Sequence, residues 1–109
     1  MATPLNTFKT VTANLTTTSA TIYTTPSNTT TIVLMAQVAN ITNTSANVTA
    51  NHYDGSSVTT ELVKNFAIPG ADAAGLLTGK LILQAGQSFT ANVSANNALK
   101  LTLSLLETI

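Results

Sequence analysis

Hydrophobic and polar residues alternate with a period of two along most of this chain, which is the spacing of β-strands rather than of helices. The clearest run covers residues 98–107. Because side chains two positions apart point to the same side of a strand, the leucines of this run share one face. Each would contribute roughly 1.5–3 kcal/mol if fully buried. The run therefore predicts a core strand whose inward residues are Leu99, Leu101, Leu103 and Leu105.

A second long strand is predicted over residues 29–40, and it is apolar on both faces. One face carries Ile32, Leu34, Ala36 and Val38, and the other carries Val33, Met35, Gln37 and Ala39. Strands that are apolar on both faces are typical of sheets covered on both sides. This strand is therefore expected to be central and covered on both sides.

Shorter alternating runs are separated by turn residues such as Pro26, Gly55 and Pro69. In the run 58–68, Lys64 falls in phase with apolar positions, so either a bulge turns it outward or its stem lies over the core with the amine at the rim. The inward residues of that run are predicted to be Val58, Leu62, Phe66 and Ile68. The other predicted elements are strands over 8–15, 20–24 and 46–53, a helical turn over 71–77, and a hairpin formed by 80–83 and 88–93.

About eight short strands with turns every eight to twelve residues predict an all-β fold. The expected architecture is an antiparallel β-sandwich, and a jelly roll is one such arrangement. The length fits a single domain over residues 1–109. Residues 1–7 are predicted to form an N-terminal arm, and the residues expected to contact a neighbouring subunit are Pro4, Leu5 and Phe8.

Charged residues make up only 7% of the chain, and the net charge is zero. Ordinary soluble domains carry about 25% charged residues, and a neutral small domain is poorly protected against association. Threonine, asparagine, serine and alanine supply the polar surface instead. The composition therefore predicts that other subunits cover much of the surface, with a homotrimer as the favoured state.

The chain offers few groups for catalysis or ligand binding. It has no cysteine and one histidine, His52, which lies two positions from Asp54. This pair is either half of an acid–base or metal site, or a polar pair beside the Asp54-Gly55 turn. The second interpretation is favoured, because zinc takes three or four ligands and no others lie nearby in the sequence. We therefore expect no enzymatic activity, no metal, no cofactor and no small-molecule substrate.

Nucleic acids and membranes are also not expected as partners. The four basic residues are lysines scattered along the chain, so the basic patch typical of nucleic-acid binding is missing. No apolar run approaches the ~20 residues of a membrane span. The first residues have neither a basic segment nor an apolar core, so no Sec signal is expected and synthesis should take place in the cytoplasm.

Several segments, in their order along the chain, resemble small β-sandwich virion proteins of tailed bacteriophages. They are IYTTPSNTT at 22–30, LVKN at 62–65 with IPG at 68–70, LILQAGQSF at 81–89, where Gln87 replaces the usual acid, and the closing strand at 99–107. The resemblance implies a virion component of the head decoration (cement) or tail accessory type.

For this chain we favour a capsid decoration protein on the capsid surface, with the major capsid protein and its own copies as partners. A tail or fibre module, used in tail assembly or host attachment, is the alternative. A host-encoded adhesin or ice-binding protein is a third hypothesis.

Overall fold

The computed structural model describes residues 6–109, and these residues form nine β-strands and no helix. Two antiparallel sheets pack as a sandwich, as predicted. The strands are β1 (Asn6–Asn14), β2 (Ala20–Thr24), β3 (Thr30–Asn40), β4 (Ala46–Tyr53), β5 (Thr59–Ile68), β6 (Ala73–Gly75), β7 (Leu81–Leu83), β8 (Ser88–Val93) and β9 (Leu99–Thr108).

The strand order is that of one long hairpin rolled up. Sheet I has the order β1-β9-β3-β6, with β7 also paired to β3, and sheet II has the order β2-β8-β4-β5. In chain order, β4 pairs with β5 at the tip of the hairpin, β3 with β6 and β7, β2 with β8, and β1 with β9. This nesting of partners is the jelly-roll form of the sandwich.

The inward face of β9 forms the centre of the core. The leucines that the alternation places on one face are all buried, with Leu99 and Leu103 at 0% exposure and Leu101 and Leu105 at 1%. Sheet II supplies the opposite side of the same cluster, including Phe89 at 0% exposure. The predicted core strand is therefore confirmed.

Strand β3 is central in sheet I, but the prediction that both of its faces are covered is wrong. Leu34 and Met35 are 36% and 38% exposed. The register with β9 shifts between Val33 and Met35, so Leu34 is an extra residue in the ladder. Such a bulge reverses which side chains face the core. Before the bulge the odd-numbered positions Thr31 and Val33 are buried, and after it the even-numbered positions Ala36 and Val38 are buried.

A bulge in β5 turns Lys64 outward, as one of the two interpretations predicted. Lys64 and Asn65 together oppose Thr49 of β4, because the register places Val48 opposite Phe66 and Ala50 opposite Val63. Asn65 has a positive φ of 51°, and its N–H donates to Thr49 Oγ1 at 3.0 Å. The predicted burial of two other residues of this run is wrong, since Val58 and Phe66 are 55% and 38% exposed. Val58 precedes the strand, and Phe66, although it lies opposite the buried Val48, is on the edge strand of sheet II.

Two predicted local elements are replaced by pairing with β3. Residues 73–75 form strand β6 rather than a helical turn, because their backbone pairs with residues 37–39 of β3. The predicted hairpin between 80–83 and 88–93 does not form, because β7 pairs with β3 in sheet I while β8 pairs with β2 and β4 in sheet II. The connecting residues 84–87 therefore cross between the sheets.

Asn6, the first residue that the structure describes, pairs with Thr108 of β9. Residues 6 and 7 of the predicted arm, and Phe8 after them, therefore belong to sheet I. Pro4 and Leu5 lie outside the residues that the structure describes.

Candidate functional site

His52 and Asp54 hydrogen-bond to different partners. His52 Nε2 lies 3.1 Å from Gln87 Oε1, whereas Asp54 Oδ1 accepts the backbone N–H groups of Ser56, Ser57 and Val58 at 2.9, 2.9 and 3.0 Å. Asp54 therefore stabilises the turn into β5. Across residues 6–109, no three histidine or acidic side chains lie close enough together to hold a metal ion. That part of the chain also contains no helix long and apolar enough to cross a membrane.

The Asp54 turn gives a testable pH dependence. Hydrogen bonds from the N–H groups of Ser56, Val58 and Ser57 lower the pKa of the Asp54 carboxyl from 3.8 to about 2, because they favour the charged form. A lowered pKa in the folded state stabilises the protein above the unfolded pKa, and this stabilisation is lost as the pH falls toward about 2. Asp54→Asn should therefore reduce the difference in Tm between about pH 5 and about pH 2.

The matched control is Asp72→Asn, since Asp72 Oδ1 accepts only the N–H of Ala73, at 2.8 Å. Thermal unfolding followed by circular dichroism at both pH values makes the comparison. A pH response in Asp54→Asn equal to that of the parent chain would contradict the role of this carboxylate.

An exposed apolar row crosses sheet I on its outer face, the side that points away from the core. The register places Phe8 of β1 opposite Leu106 of β9, Leu106 opposite Ile32 of β3, and Ile32 opposite Ile82 of β7. Phe8 and Ile82 are 73% and 57% exposed, and Leu106 and Ile32 are partly exposed. We call these four residues the apolar row.

Mostly uncharged residues surround the apolar row, with Lys80 beside Leu34 and Met35. Leu34 and Met35 of the β3 bulge enlarge it on one side, and the neighbouring cross-strand rows consist of hydroxyl and amide side chains. The charged residue of β9 on the outer face is Lys100, six positions from Leu106 along the strand. An apolar centre with a polar, uncharged rim is typical of protein–protein contact surfaces, and contiguous exposed apolar patches mark interaction sites. The rim residues are Asn6, Thr108 and Thr30 on one side and Thr10 and Ser104 on the other.

Two charged residues next to the apolar row point inward instead. Glu107 is 8% exposed; it accepts a hydrogen bond from the Tyr23 hydroxyl of sheet II and forms an ion pair with Lys9 Nζ at 3.0 Å. The Tyr23 hydroxyl also lies 2.8 Å from Thr31 Oγ1. The hydrogen bond from Tyr23, more than the ion pair with Lys9, lowers the pKa of Glu107, while burial raises the pKa of Tyr23 to about 12. This cluster joins the two sheets and keeps both charges off the outer face.

One of the three residues predicted to contact a neighbouring subunit lies on this surface. Phe8 was expected to contact a neighbour from an arm, and it lies in the apolar row of a strand. The alternation alone did not single out Ile82 or Leu106, and it assigned Ile32 to a covered face. Strand periodicity carries no signal for the row, because its four residues come from four strands.

No protein-family model and no curated protein matches this chain. Several solved structures share its fold. A chain of the Bacillus endospore appendages, described as disulfide-linked pili, is 15% identical with a TM-score of 0.58, over 97% of this chain and 87% of that chain. A chain of the acid-stable capsid of Helicobacter pylori bacteriophage KHP30 is 10% identical with a TM-score of 0.57, over 98% and 92%.

A third similar structure comes from the virus-like particle of the extra small virus of the giant freshwater prawn Macrobrachium rosenbergii. It is 12% identical with a TM-score of 0.55, over 99% of this chain and 80% of that chain. At these identities the likeness establishes the fold. The sandwich of this chain is one that viral capsid proteins and a pilus subunit also adopt.

Proposed function

We propose that this chain is a structural protein of a bacteriophage particle and that it acts as a capsid decoration, or cement, protein. The observation that carries the proposal is the apolar row on a hydroxyl-rimmed sheet face with few charges. A chain with zero net charge and such a face is suited to permanent contact with other subunits. The sandwich shared with capsid chains supports the same function.

The mechanism would be mechanical. The outer face of sheet I would pack against the major capsid protein and bury the apolar row, with a gain of about 25 cal/mol for each Å² of apolar surface removed from water. A protein that binds the intact shell and not its separated subunits stabilises the shell by linkage. Because the outer face carries few charges to be screened, attachment should depend little on salt.

The predicted N-terminal contacts extend this proposal. Phe8 is part of the apolar row, and the adjoining Pro4 and Leu5 are proposed to reach the same neighbouring subunit. The pilus chain is a weaker guide to function, because its assembly is described as disulfide-linked and this chain has no cysteine.

The function is tested by locating and counting the chain in purified particles, using quantitative mass spectrometry and a cryo-EM map. A decoration protein should occupy the repeating sites of the shell, and particles lacking it should assemble but break at a lower temperature. If the chain is found only in the tail, its function is that of a tail or fibre accessory module rather than of a decoration protein. A chain absent from the particles would contradict both roles.

Charge placed in the apolar row should abolish attachment. Ile82→Asp would bury an unpaired carboxylate against the shell, which costs several kcal/mol, so we expect the affinity for particles lacking the protein to fall about 100-fold or more. Phe8→Asp should act in the same way. Co-sedimentation with such particles measures the loss.

The matched control is Val58→Asp. Val58 is 55% exposed, close to the 57% of Ile82, but it adjoins β5 of sheet II. Circular dichroism should show that all three variants fold. Equal attachment of Ile82→Asp and Val58→Asp would move the contact away from the outer face of sheet I.

A further inference from the structure

We propose that strand β1 pairs antiparallel with strand β1 of a second copy of this chain, which joins the two copies of sheet I into one continuous sheet. This contact is separate from the proposed attachment to a shell, because it uses the edge of the sheet rather than its outer face. It could therefore form whether or not the chain belongs to a capsid.

The other edges of the sandwich carry the features that prevent strand addition. Short length, charges and bulges protect exposed edges from pairing with another chain. Strands β6 and β7 have three residues each, and the register of β2 shifts between Thr21 and Tyr23. Strand β5 has two register shifts and carries the Glu61–Lys64 ion pair at 3.4 Å.

Strand β1 has neither the register shifts of β2 and β5 nor the short length of β6 and β7. Its nine residues pair with β9 in consecutive register without a shift, and its side away from β9 has no partner strand among residues 6–109. Its one charged residue, Lys9, is held in the ion pair with Glu107. A long, regular edge without a bulge is suited to strand addition.

The sequence of β1 is compatible with itself in antiparallel register. Centred on Thr10, the pairing aligns the strand over its whole length, with Thr10 opposite Thr10 and Phe8 opposite Thr12. Lys9 lies opposite Val11, so like charges do not face each other directly, which would be destabilising. Opposed threonines form favourable cross-strand pairs. A second copy is therefore a suitable occupant of this edge.

The pairing would place both apolar rows on one surface. Directly opposed residues of antiparallel strands point to the same side of the sheet, so Phe8 and its neighbours would face the same direction in both copies. A like-with-like contact of this kind closes on a two-fold axis. It therefore predicts a dimer or a larger even-numbered assembly, whereas composition alone suggested a trimer.

A single cysteine at the axis tests this contact directly, because the natural chain has no cysteine. Opposed residues of an antiparallel pair have Cα atoms about 4.5–5.5 Å apart, within the range of about 4.4–6.8 Å that a disulfide spans. Thr10→Cys should therefore form a covalent dimer under mild oxidation. Thr60→Cys, at an exposed position of the β5 edge, is the matched control and should remain largely uncross-linked.

Charge variants at the same position give a second, independent readout. Thr10→Lys and Thr10→Glu should each shift the mass from dimer to monomer in light scattering, and an equimolar mixture should restore the dimer, because lysine then faces glutamate across the axis. A monomeric parent chain, or equal cross-linking of the two cysteine variants, would overturn the proposal. Cross-linking of Thr10→Cys to a shell protein instead would assign the edge to another partner and also overturn it, while leaving the attachment test at Ile82 unaffected.

Discussion

Replacing Leu103 with alanine is expected to lower the free energy of unfolding by roughly 2–5 kcal/mol. Leu103 is fully buried in the middle of β9, with Val11 of β1 opposite it on one side and Ala36 of β3 on the other. Hydrogen-bonded strands on both sides limit how far the surroundings can collapse into the cavity. Poor collapse raises the cost of removing a buried leucine.

Denaturant unfolding at one fixed protein concentration measures the effect, since self-association would otherwise make stability depend on concentration. Leu101→Ala should fall in the same range, because Leu101 is 1% exposed. Leu106→Ala is the control on the same strand: it changes the partly exposed outer face and should cost clearly less. A loss below about 1 kcal/mol at both Leu101 and Leu103 would show that this face is not the core.

Replacing Gly70 with alanine should cause a loss of stability of about 3 kcal/mol, at the upper end of the usual cost of overpacking. A Cβ at this position would lie 2.5 Å from the carbonyl carbon of Asn43, 2.6 Å from its oxygen and 2.9 Å from the backbone nitrogen of Thr44. These are backbone atoms, so a change of rotamer cannot relieve the contact.

The loop that approaches Gly70 is also held in place. The side-chain amide of the buried Asn40 donates to the carbonyl groups of Thr44 and Ile68 at 2.8 and 3.0 Å, and the N–H of Ala71 donates to Thr42 O at 2.8 Å. The backbone on either side of Gly70 is therefore tied to the loop it touches. Moving the two segments apart would break these hydrogen bonds, which adds to the cost of the substitution.

Gly79 provides the matched control, because a Cβ there would meet no atom within 4 Å. Gly79→Ala should leave stability unchanged within about 0.5 kcal/mol or raise it slightly through the unfolded state. Denaturant midpoints of the two variants make the comparison. Equal stability of Gly70→Ala and Gly79→Ala would mean that the close approach at residues 43 and 44 does not constrain the fold.

Local sequence determined where most strands lie and which face of β9 is the core. Alternation with period two is a property of each strand by itself, so residues 20–24 and 46–53 could be assigned without knowing their neighbours. The turn residues between the runs set the spacing of a sandwich. The scarcity of charge is also a property of the sequence, and it predicted that the outer face of sheet I would carry few charges.

The tertiary structure alone decided which strands are neighbours and where their phase reverses. Residues 80–83 and 88–93 were predicted to form a hairpin, but strands β7 and β8 pair with strands of different sheets. Likewise, Leu34 is an extra residue only relative to its partner strand β9, so the reversal of the buried face of β3 depends on that register. The alternation of polar and apolar residues along one strand does not specify which strand pairs with it.

The apolar row shows the same limit at the candidate site. Its members, Phe8, Ile32, Ile82 and Leu106, are far apart in the sequence, and each is an ordinary outward-facing residue of its own strand. They become a surface because antiparallel pairing sets them side by side across four strands, about 4.8 Å apart from one strand to the next. The sequence therefore determined that this protein has a neutral β-sandwich with a leucine core, and the pairing of its strands decided where it can bind a partner.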